Sequence, residues 1–373
     1  MIVIAPDSFK GTLSATEVCE IIRDEFLKAD KNLEIKCVPV ADGGEGTVDA
    51  LLFNGGERVS VRAKDPYFNE IDSFYGILPD GTAVIEMAAA SGLPLVGENK
   101  NPMKTTTYGT GQLILNALDR GCKKILIGVG GSATNDGGIG CAAALGVRFT
   151  DKDGNEAPLC GEGMIRVARI DLSGLDSRIK DTDIEVLCDV VSPLYGENGA
   201  AYIFAPQKGA DAGTVKALDD GLRNLADVTA NALGTDKSFC EGAGAAGGLG
   251  FGLISFVGAH LVKGAPAILN TMGFREMAEN AELVITGEGC MDEQSLLGKV
   301  PAYVAAMSGD APVIAIVGKN KVTDMSKSGI KKIYATDHGE RTFEQIKLEC
   351  REDLAAAARS AFKELIEKTK KRN

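Results

Sequence analysis

Residues 1–52 have the sequence MIVIAPDSFKGTLSATEVCEIIRDEFLKADKNLEIKCVPVADGGEGTVDALL. The short apolar run at residues 2–5 predicts a buried strand. Ser14, with Glu17 three residues later, forms the signature of a capping box, which predicts that a helix begins there. Residues 34–40 form the next strand pattern, and the loop ADGGEG leads into a second helix pattern. Strands that alternate with helices favour a parallel sheet covered by helices, so we expect an α/β fold.

Two domains are expected, because 373 residues exceed the length at which a single hydrophobic core usually stops growing. From about residue 57 the pattern changes to alternating strands, at 58–64, 70–78 and 82–88. After residue 281 the opening pattern returns, with apolar runs at 283–286, 313–317 and 332–335 and a helix pattern at 342–370. We therefore predict a discontinuous parallel-sheet domain, residues 1–65 plus 279–373, and an inserted mixed α/β domain, residues 66–278.

The balance of charges excludes several classes of partner. The chain has 40 Lys and Arg against 52 Asp and Glu, a net charge of −12. Nucleic acids and anionic lipids attract basic surfaces, so we expect neither as a partner. An anionic small molecule would have to be attracted locally, by backbone N–H groups, a few lysines or a bound cation.

The cysteines indicate a reducing compartment. There are nine, an odd number, and no two are spaced as CxxC. We expect reduced thiols and, with only His260 and His338 available, no structural zinc site. No apolar stretch approaches the ~18 residues of a membrane span, and a strand pattern starts at residue 2 without a signal peptide. A cytoplasmic location follows as an expectation, while the oligomeric state is left open.

The strongest local motif is GVGGSATNDGG at residues 128–138, directly after the apolar strand pattern KKILI. A strand that opens into glycines lets backbone N–H groups converge on an anion, and a helix pattern begins near Asp136. This predicts a phosphate-binding loop in which the contributing residues are Gly130, Gly131, Ser132, Thr134, Asn135 and Asp136. The alternative is a tight turn whose Ser, Asn and Asp side chains cap a helix.

Other glycine motifs are weaker. The pairs Gly298-Lys299 and Gly318-Lys319 are followed by Val and Asn, so neither forms a Walker A loop. Residues 242–247 match G-x-G-x-x-G, but no clear strand precedes them and no acidic residue follows at the spacing of a dinucleotide site. For this segment we expect close backbone packing or contact with a nucleotide.

Polar clusters follow several predicted strands, and ligands of open parallel sheets bind beyond the carboxyl ends of strands. Each cluster alone could be a helix cap or a solvated loop, but four of them favour one site. The clusters contain Asp7, Ser8 and Lys10; Asp42, Gly43, Gly44 and Glu45; Asp189; and Thr286, Glu288 and Asp292, with Lys299 a few residues further. Carboxylates that hold Mg²⁺, lysines that neutralise a moving phosphoryl group and an aspartate that accepts a proton together indicate phosphoryl transfer.

Taken together, the motifs resemble the bacterial type I glycerate kinase family over essentially the whole chain. They occur in the order of that family: VIAPDSFKGTLSA, PVADGGEGT, EMAAASGL, KTTTYGTG, GVGGSATNDGG, APQKGA, GAGAAGGLGFG and TGEGCMDEQSLLGKVP. The resemblance implies a kinase that uses ATP and Mg²⁺ to convert D-glycerate, usually to 2-phosphoglycerate rather than the 3-phosphate. It implies a Rossmann- or flavodoxin-like domain from both chain ends, an inserted α/β domain and an active site in the cleft between them.

The resemblance also carries site positions onto this chain: Asp7, Ser8, Lys10, Asp42, Glu45, Ser132, Asn135, Asp136, Asp189, Glu288 and Asp292. We expect the ATP phosphates at the loop of Gly130, Gly131, Ser132, Asn135 and Asp136. We expect glycerate beside Asp7, Ser8, Lys10 and Ser192. Asp189 is the expected base, with Asp42 as its rival, and Lys10 is the expected stabiliser of charge. The metal ligands are expected among Asp42, Glu45, Glu288 and Asp292.

Two positions depart from the family pattern. Ser192 stands where the family usually has Asn, and Cys290 stands where it usually has Arg. Serine retains a hydrogen-bonding group, but a thiol cannot replace a guanidinium as a charge or bidentate donor. These departures leave open a kinase for another short hydroxy acid. A small-anion binding protein without turnover is a separate alternative, against which the clustered acidic loops argue.

Overall fold

The computed structural model describes residues 1–41, 43–336, 339 and 341–370. By its internal contacts the chain divides into two compact units. The first unit consists of Met1–Asp42, Asp49–Asn54 and Ala265–Asn373, and the second consists of Gly43–Val48 and Gly55–Gly264.

The strands are numbered in chain order. They are β1 (Ile2–Pro6), β2 (Ile35–Cys37), β3 (Glu57–Lys64), β4 (Glu70–Ile77), β5 (Ala83–Glu86), β6 (Lys124–Gly128), β7 (Arg148–Thr150), β8 (Arg169–Asp171), β9 (Asp183–Leu187), β10 (His260–Val262), β11 (Leu283–Gly287), β12 (Cys290–Met291), β13 (Val313–Val317), β14 (Lys319–Asn320) and β15 (Ile330–Ala335).

The α-helices are numbered in the same way. They are α1 (Ala15–Ala29), α2 (Thr47–Leu52), α3 (Ala88–Ser91), α4 (Leu93–Val96), α5 (Tyr108–Asp119), α6 (Ile139–Ala144), α7 (Ala200–Phe204), α8 (Ala212–Leu233), α9 (Ala245–Phe256), α10 (Gly264–Thr271), α11 (Phe274–Glu279), α12 (Val300–Met307) and α13 (Phe343–Lys370). Four 3₁₀ helices in the described residues are Gly161–Arg166, Ser177–Asp181, Pro206–Lys208 and Glu293–Leu297. Across the described chain, no helix combines the length and the apolar character needed to cross a bilayer.

The first unit contains a parallel sheet with the strand order β15, β13, β11, β1, β2. β1, from the start of the chain, pairs in parallel with β11, from its last third, and Ile4 is opposite Ile285. Its other neighbour is β2, also parallel. The predicted parallel sheet assembled from both chain ends is confirmed. Its central strands β1, β11 and β13 are buried along their length, as expected when helices cover a parallel sheet.

Helices α1 and α13 contribute to the core of the first unit. The predicted capping box is present: Glu17 N–H donates to Ser14 Oγ (3.2 Å), and Ser14 N–H donates to the Glu17 carboxylate (2.9 Å). Val18, Ile22 and Phe26 recur at helical spacing along α1 and are fully buried. They join one hydrophobic cluster with sheet residues and with the buried face of α13, which supplies Cys350, Leu354, Ala357, Ala358 and Ala361.

The second unit contains a mixed sheet with the strand order β10, β9, β6, β5, β4, β3. Neighbours from β10 to β5 are parallel, and β5, β4 and β3 form antiparallel pairs. The hairpin of β3 and β4 alternates buried and exposed residues in β3, which is typical of a sheet with one face in the core.

The unit boundaries differ from the predicted ones at residues 65 and 278. β3 precedes residue 65 but pairs along its whole length with β4, so it belongs to the second unit. Residues 265–278 join the first unit, and the short segment Gly43–Val48 joins the second. The alternating pattern of β3 predicts a strand but cannot indicate which sheet receives it.

Leucines on α13 offer a matched test of this packing. Leu354 is fully buried, whereas Leu348 on the same helix is 86% exposed. We expect Leu354→Ala to lower the free energy of unfolding by about 2–5 kcal/mol, because it leaves a cavity in the core. We expect Leu348→Ala to change it by less than about 0.5 kcal/mol. Urea denaturation followed by circular dichroism measures both, and equal effects would contradict the packing described.

Candidate functional site

The glycine-rich loop runs from the end of β6 at Gly128 to the start of α6 at Ile139. Its polar side chains are unusually buried: Ser132 is 7% exposed, while those of Thr134, Asn135 and Asp136 have no exposed surface. α6 begins at Ile139 rather than near Asp136 and has only six residues. The short helix adds little dipole, so any affinity for an anion must come from the loop and its neighbours.

Gly130 serves close packing. Its backbone N–H donates to Gly43 O (3.1 Å), and a Cβ at Gly130 would lie 2.6 Å from the Gly44 Cα. The N–H predicted to face an anion is therefore already used inside the second unit. Gly131 is the exposed glycine of the pair and has a positive φ of 72°.

Asp136 holds the loop together. Its Oδ2 accepts hydrogen bonds from Thr107 N (2.8 Å), Thr107 Oγ1 (2.8 Å) and Gly140 N (3.3 Å), and its Oδ1 accepts one from Gly138 N (3.1 Å). Burial raises the pKa of this carboxyl group, and the hydrogen bonds from Thr107 oppose that shift. A buried carboxylate with four donors positions the loop, so the structure gives Asp136 an internal role where the sequence predicted contact with phosphate.

The motif KTTTYGTG supplies the supports of the loop. Thr105 Oγ1 donates to Ala133 O (2.9 Å), and the Thr107 hydroxyl, besides donating to Asp136, accepts the backbone N–H of Cys141 (2.9 Å). Thr105, Thr106 and Thr107 are completely buried. Three consecutive threonines beside a glycine-rich helix start could have indicated such a role, although we assigned them none from the sequence.

Lys208 is the main residue of this candidate site that the sequence analysis did not single out. It lies at the end of the 3₁₀ helix Pro206–Lys208, is 1% exposed, and donates from Nζ to Ser132 Oγ (2.7 Å) and Thr134 O (2.6 Å). Burial lowers the pKa of its ammonium from the ordinary 10.5 to about 7, and the charge of Asp136 acts in the opposite direction. The signal in the sequence was APQKGA, a lysine among small and apolar residues.

The segment that matches G-x-G-x-x-G packs against this loop. Ala246, Gly247 and Gly248 form three consecutive residues with positive φ. A Cβ at Gly247 would lie 2.0 Å from Thr134 O and 2.6 Å from the Asn135 Cα, and Gly247 O accepts the N–H of Gly137 (3.0 Å). Close backbone packing, one of the two roles predicted for this segment, is confirmed.

Three buried polar atoms of the loop have no hydrogen-bond partner among the residues that the structure describes. They are Asn135 Oδ1, Asn135 Nδ2 and Thr134 Oγ1. A buried polar atom without a partner lowers the stability of the fold by about 1–3 kcal/mol, so such atoms normally form a hydrogen bond with a ligand or a water molecule. Asn135 Nδ2 and Thr134 Oγ1 can donate hydrogen bonds, whereas Asn135 Oδ1 can only accept. Together with the ammonium of Lys208, these two donors make this loop a candidate site for an anion with several oxygens.

Further predicted residues lie at the same edge of the second sheet. Gly128 at the end of β6 pairs with Leu187 at the end of β9, so the loop and Asp189 leave the sheet side by side. Asp189 is exposed, and its Oδ1 accepts the N–H of Gly264 (3.1 Å). Ser192 is half-buried, and its carbonyl accepts the N–H of Gly244 (2.9 Å).

Glu45 belongs to the segment Gly43–Val48, which the second unit holds at this edge. The segment is fixed through Gly43, whose carbonyl accepts the Gly130 N–H and whose added Cβ would lie 2.9 Å from Leu187 Cβ. Glu45 itself is exposed. Asp42, predicted as a metal ligand and as the rival base, lies outside the described residues.

The first unit brings together a second set of predicted residues after β1 and β11. Asp7 is buried, accepts the N–H of Ser8 on its carboxylate (2.6 Å), and donates its own N–H to Gly287 O (2.8 Å). Glu288 is buried, and its Oε1 has no partner among the described residues. Lys10 is exposed, and its positive charge reaches Glu288.

Lys299 links the two acidic residues of this set, with Nζ 3.8 Å from Glu288 Oε2 and 3.6 Å from Asp292 Oδ1. Burial raises the pKa of Glu288, and a hydrogen bond with Ser295 opposes that shift. The backbone N–H of Ser295 lowers the pKa of Asp292.

Over the described ranges, no three His, Cys, Asp or Glu side chains are grouped closely enough to hold a metal ion. Cys290, between these residues, is exposed.

Comparisons with known proteins agree on one family. A family profile described as "Glycerate kinase family" matches residues 2–366. A "Glycerate kinase" of Bacillus subtilis (strain 168) is 48% identical over 322 residues, which are 85% of this chain and 84% of that protein. A "Glycerate 2-kinase" of Escherichia coli (strain K12) is 46% identical over 342 residues, 90% of each chain. A crystal structure from Salmonella typhimurium LT2, described provisionally as glycerate kinase 2, has a TM-score of 0.90, 41% identity and 99% coverage of both chains.

A pair of threonines tests the support of the loop. Thr107→Val removes a donor to the buried Asp136 and an acceptor for Cys141 N–H, so we expect it to lower the free energy of unfolding by about 2–3 kcal/mol. Thr229 is equally buried, but its hydroxyl has no partner among the described residues. We expect Thr229→Val to be neutral or stabilising. Urea denaturation compares the two variants, and similar losses would contradict the assigned hydrogen bonds.

Proposed function

The chain belongs to the glycerate kinase family, and from this membership we propose that it transfers the γ-phosphoryl group of ATP to the 2-hydroxyl group of D-glycerate. ADP and 2-phospho-D-glycerate are the products of this reaction. The choice of position 2 is supported by the E. coli relative, which is named as a glycerate 2-kinase.

The observation that supports a phosphate ligand most directly is the chemistry of the loop after β6. The buried ammonium of Lys208 donates to Ser132 Oγ and Thr134 O, and two further buried potential donors, Asn135 Nδ2 and Thr134 Oγ1, lack partners among the described residues. Phosphate oxygens accept hydrogen bonds from several donors at once. We place the phosphates of ATP here, with Gly131, Ser132 and Asn135 as their neighbours.

Asp189 is the proposed base. The hydroxyl oxygen of glycerate forms a bond to the γ-phosphorus while the bond from that phosphorus to the bridging oxygen of ADP breaks. The hydroxyl proton passes to the Asp189 carboxylate and then to water. The exposure of Asp189, one strand from the phosphate loop, suits a group that must meet a substrate hydroxyl.

The acceptor needs groups for its carboxylate and its second hydroxyl. Lys10 supplies a positive charge, and Ser8 and Ser192 supply hydroxyl groups, so we propose these residues for glycerate. Asp7 orders the turn through its bond with Ser8 N–H. Lys10 would also neutralise charge on the transferred group.

The described residues offer two neighbouring carboxylates that suit a magnesium ion. Mg²⁺ in kinases usually binds one or two carboxylates together with substrate phosphates, so a cluster of three protein ligands is not required. Glu288 offers a buried carboxylate oxygen without a partner among the described residues, and Asp292 lies beside it. We propose these two as ligands of the first unit, where the ion when bound would neutralise phosphate charge.

The state of the cysteines supports a cytoplasmic enzyme. All nine are free thiols, and seven of them are buried. Free buried thiols are typical of a reducing compartment. We therefore propose that the reaction takes place in the cytoplasm.

The proposal is tested by ADP release that depends on glycerate, with ³¹P NMR to identify the product. We expect turnover with D-glycerate, ATP and Mg²⁺, and a phosphorus signal coupled to the proton at carbon 2. A signal from the 3-phosphate would correct the position of transfer. Turnover only with other hydroxy acids would contradict the proposed substrate and direct attention to Ser192 and Cys290. Ligand binding without any turnover would contradict catalysis altogether.

Asp189→Asn tests the proposed base. Because the amide cannot accept the hydroxyl proton, we expect kcat to fall by about two to four orders of magnitude. Asp227→Asn is the control, because Asp227 is an exposed carboxylate on α8 of the same unit. Steady-state kinetics with D-glycerate compares them. A loss below about fivefold in Asp189→Asn would remove Asp189 from this role and leave Asp42 as the base.

A further inference from the structure

Lys208 is buried in the interior of the second unit, next to a tightly packed turn. Its neighbour Gly209 has a positive φ of 92°, and a Cβ there would lie 2.7 Å from both Lys100 O and Lys100 Cβ. The backbone after Lys208 is therefore restricted to glycine at that position. The side chain extends from this turn to the phosphate loop, where it meets Ser132 and Thr134.

The hydrogen bonds of Lys208 determine the direction of a second donor. An ammonium group can only donate, so the bond to Ser132 Oγ occupies a lone pair of that oxygen and leaves the hydroxyl hydrogen for another acceptor. The bond to Thr134 O attaches Lys208 to a second residue of the loop. Ser132 is thus fixed as a donor, which is the hydrogen-bonding role that a phosphate oxygen requires.

The positive charge of Lys208 lacks a direct counterion in the structure. Within the described residues, the partners of Nζ are Ser132 Oγ and Thr134 O, and it forms no ion pair with a carboxylate. Asp136, on the loop packed against Lys208, is the charged group that acts on it, but its carboxylate is engaged by Thr107, Gly138 and Gly140. A buried ammonium that is bonded only to neutral oxygens is unfavourable, and an anion bound beside it would offset that cost.

We propose that Lys208 is the positioning residue of the phosphate site, which turns the Ser132 hydroxyl toward a bound phosphate oxygen and supplies the positive charge that the phosphate neutralises. This inference rests on the proposed function, because it takes the loop as the place where the nucleotide phosphates bind. It assigns to Lys208 a role in affinity for the nucleotide rather than contact with the reacting atoms.

Proton uptake follows from this arrangement. In the free protein Lys208, with its pKa lowered to about 7, loses its charge as the pH rises through neutrality. A bound anion favours the charged form, so binding raises the pKa of Lys208 and takes up a proton. The contribution of Lys208 to nucleotide affinity is therefore largest below about pH 7 and decreases as the pH rises.

Titration calorimetry of ADP tests the proposal on the full chain, with Lys208→Met and the control Lys216→Met between about pH 6 and about pH 9. Lys216 is an exposed lysine on α8, paired with Asp220. The ratio of variant to wild-type Kd cancels the titration of ADP itself. For Lys208→Met we expect a ratio of about 10 to 100 near pH 6, the usual effect of losing hydrogen bonds from a charged group, falling toward one near pH 9. For Lys216→Met we expect a ratio near one throughout.

A ratio near one at low pH, or a raised ratio that does not change with pH, would overturn the proposal, since a merely structural role of Lys208 gives no such profile. If Lys208→Met does not fold, the wild type is titrated with sulfate, whose charge is constant over this range, in two buffers of different ionisation enthalpy. Uptake of a substantial fraction of a proton above pH 7 supports the proposal, and no uptake overturns it.

The failure of this proposal can be told from the failure of the proposed function. A wild-type chain that neither binds ADP nor turns over ATP with glycerate would contradict the function. A wild-type chain that does both, with Lys208→Met unchanged in its affinity for ADP, would contradict the role of Lys208 alone.

Discussion

The carboxylate of Asp136 is the group on which the shape of the candidate site depends. Four hydrogen bonds to its two oxygens connect the loop after β6 to Thr107 on one side and to the start of α6 on the other. Lys208 and Thr105 hold the residues that precede Asp136, through bonds to Ser132, Thr134 and Ala133. A buried carboxylate tolerates desolvation when several N–H and O–H donors surround it, and here the neighbouring motif KTTTYGTG supplies two of them.

Two buried groups of opposite charge in this region, Asp136 and Lys208, are bonded to neutral groups rather than to each other. Asp136 is satisfied by donors of the protein, while Lys208 is bonded to neutral oxygens and has a lowered pKa. In the unfolded chain Lys208 keeps its proton up to about its ordinary pKa of 10.5, so between about pH 7 and 10.5 folding becomes more favourable as the pH rises. Near and below neutrality the protein retains an unfavourable buried charge, which is expected where a ligand of opposite charge completes the site.

The sequence was sufficient for the fold class and for the position of the loop, because both follow from local patterns. The capping box of α1, the apolar runs of β1 and β11 and the glycines after β6 act over a few residues.

The roles of individual residues within the site could not be predicted in the same way, because they depend on which N–H and O–H groups are already hydrogen-bonded inside the protein. Gly130 N–H is taken by Gly43, and Asp136 by Thr107, and neither pairing is visible in a linear pattern. Lys208 lies 76 residues from Ser132 along the chain, so no local motif joins them. β3 was placed in the other domain for the same reason, because pairing with β4 decides its sheet.

Some of the many glycines allow segments of backbone to pack closely against the loop after β6. At Gly130 and Gly247 the decisive property is the absence of a Cβ, because backbone atoms of neighbouring segments lie at 2.6 Å and 2.0 Å from where a Cβ would stand. Residues 43–44 and 246–248 therefore lie close against the loop, in which Thr134 and Asn135 have no exposed surface. Burial in turn strengthens each electrostatic interaction that the loop can make. The same close packing accounts for the buried amide of Asn135, which has no hydrogen-bond partner among the described residues.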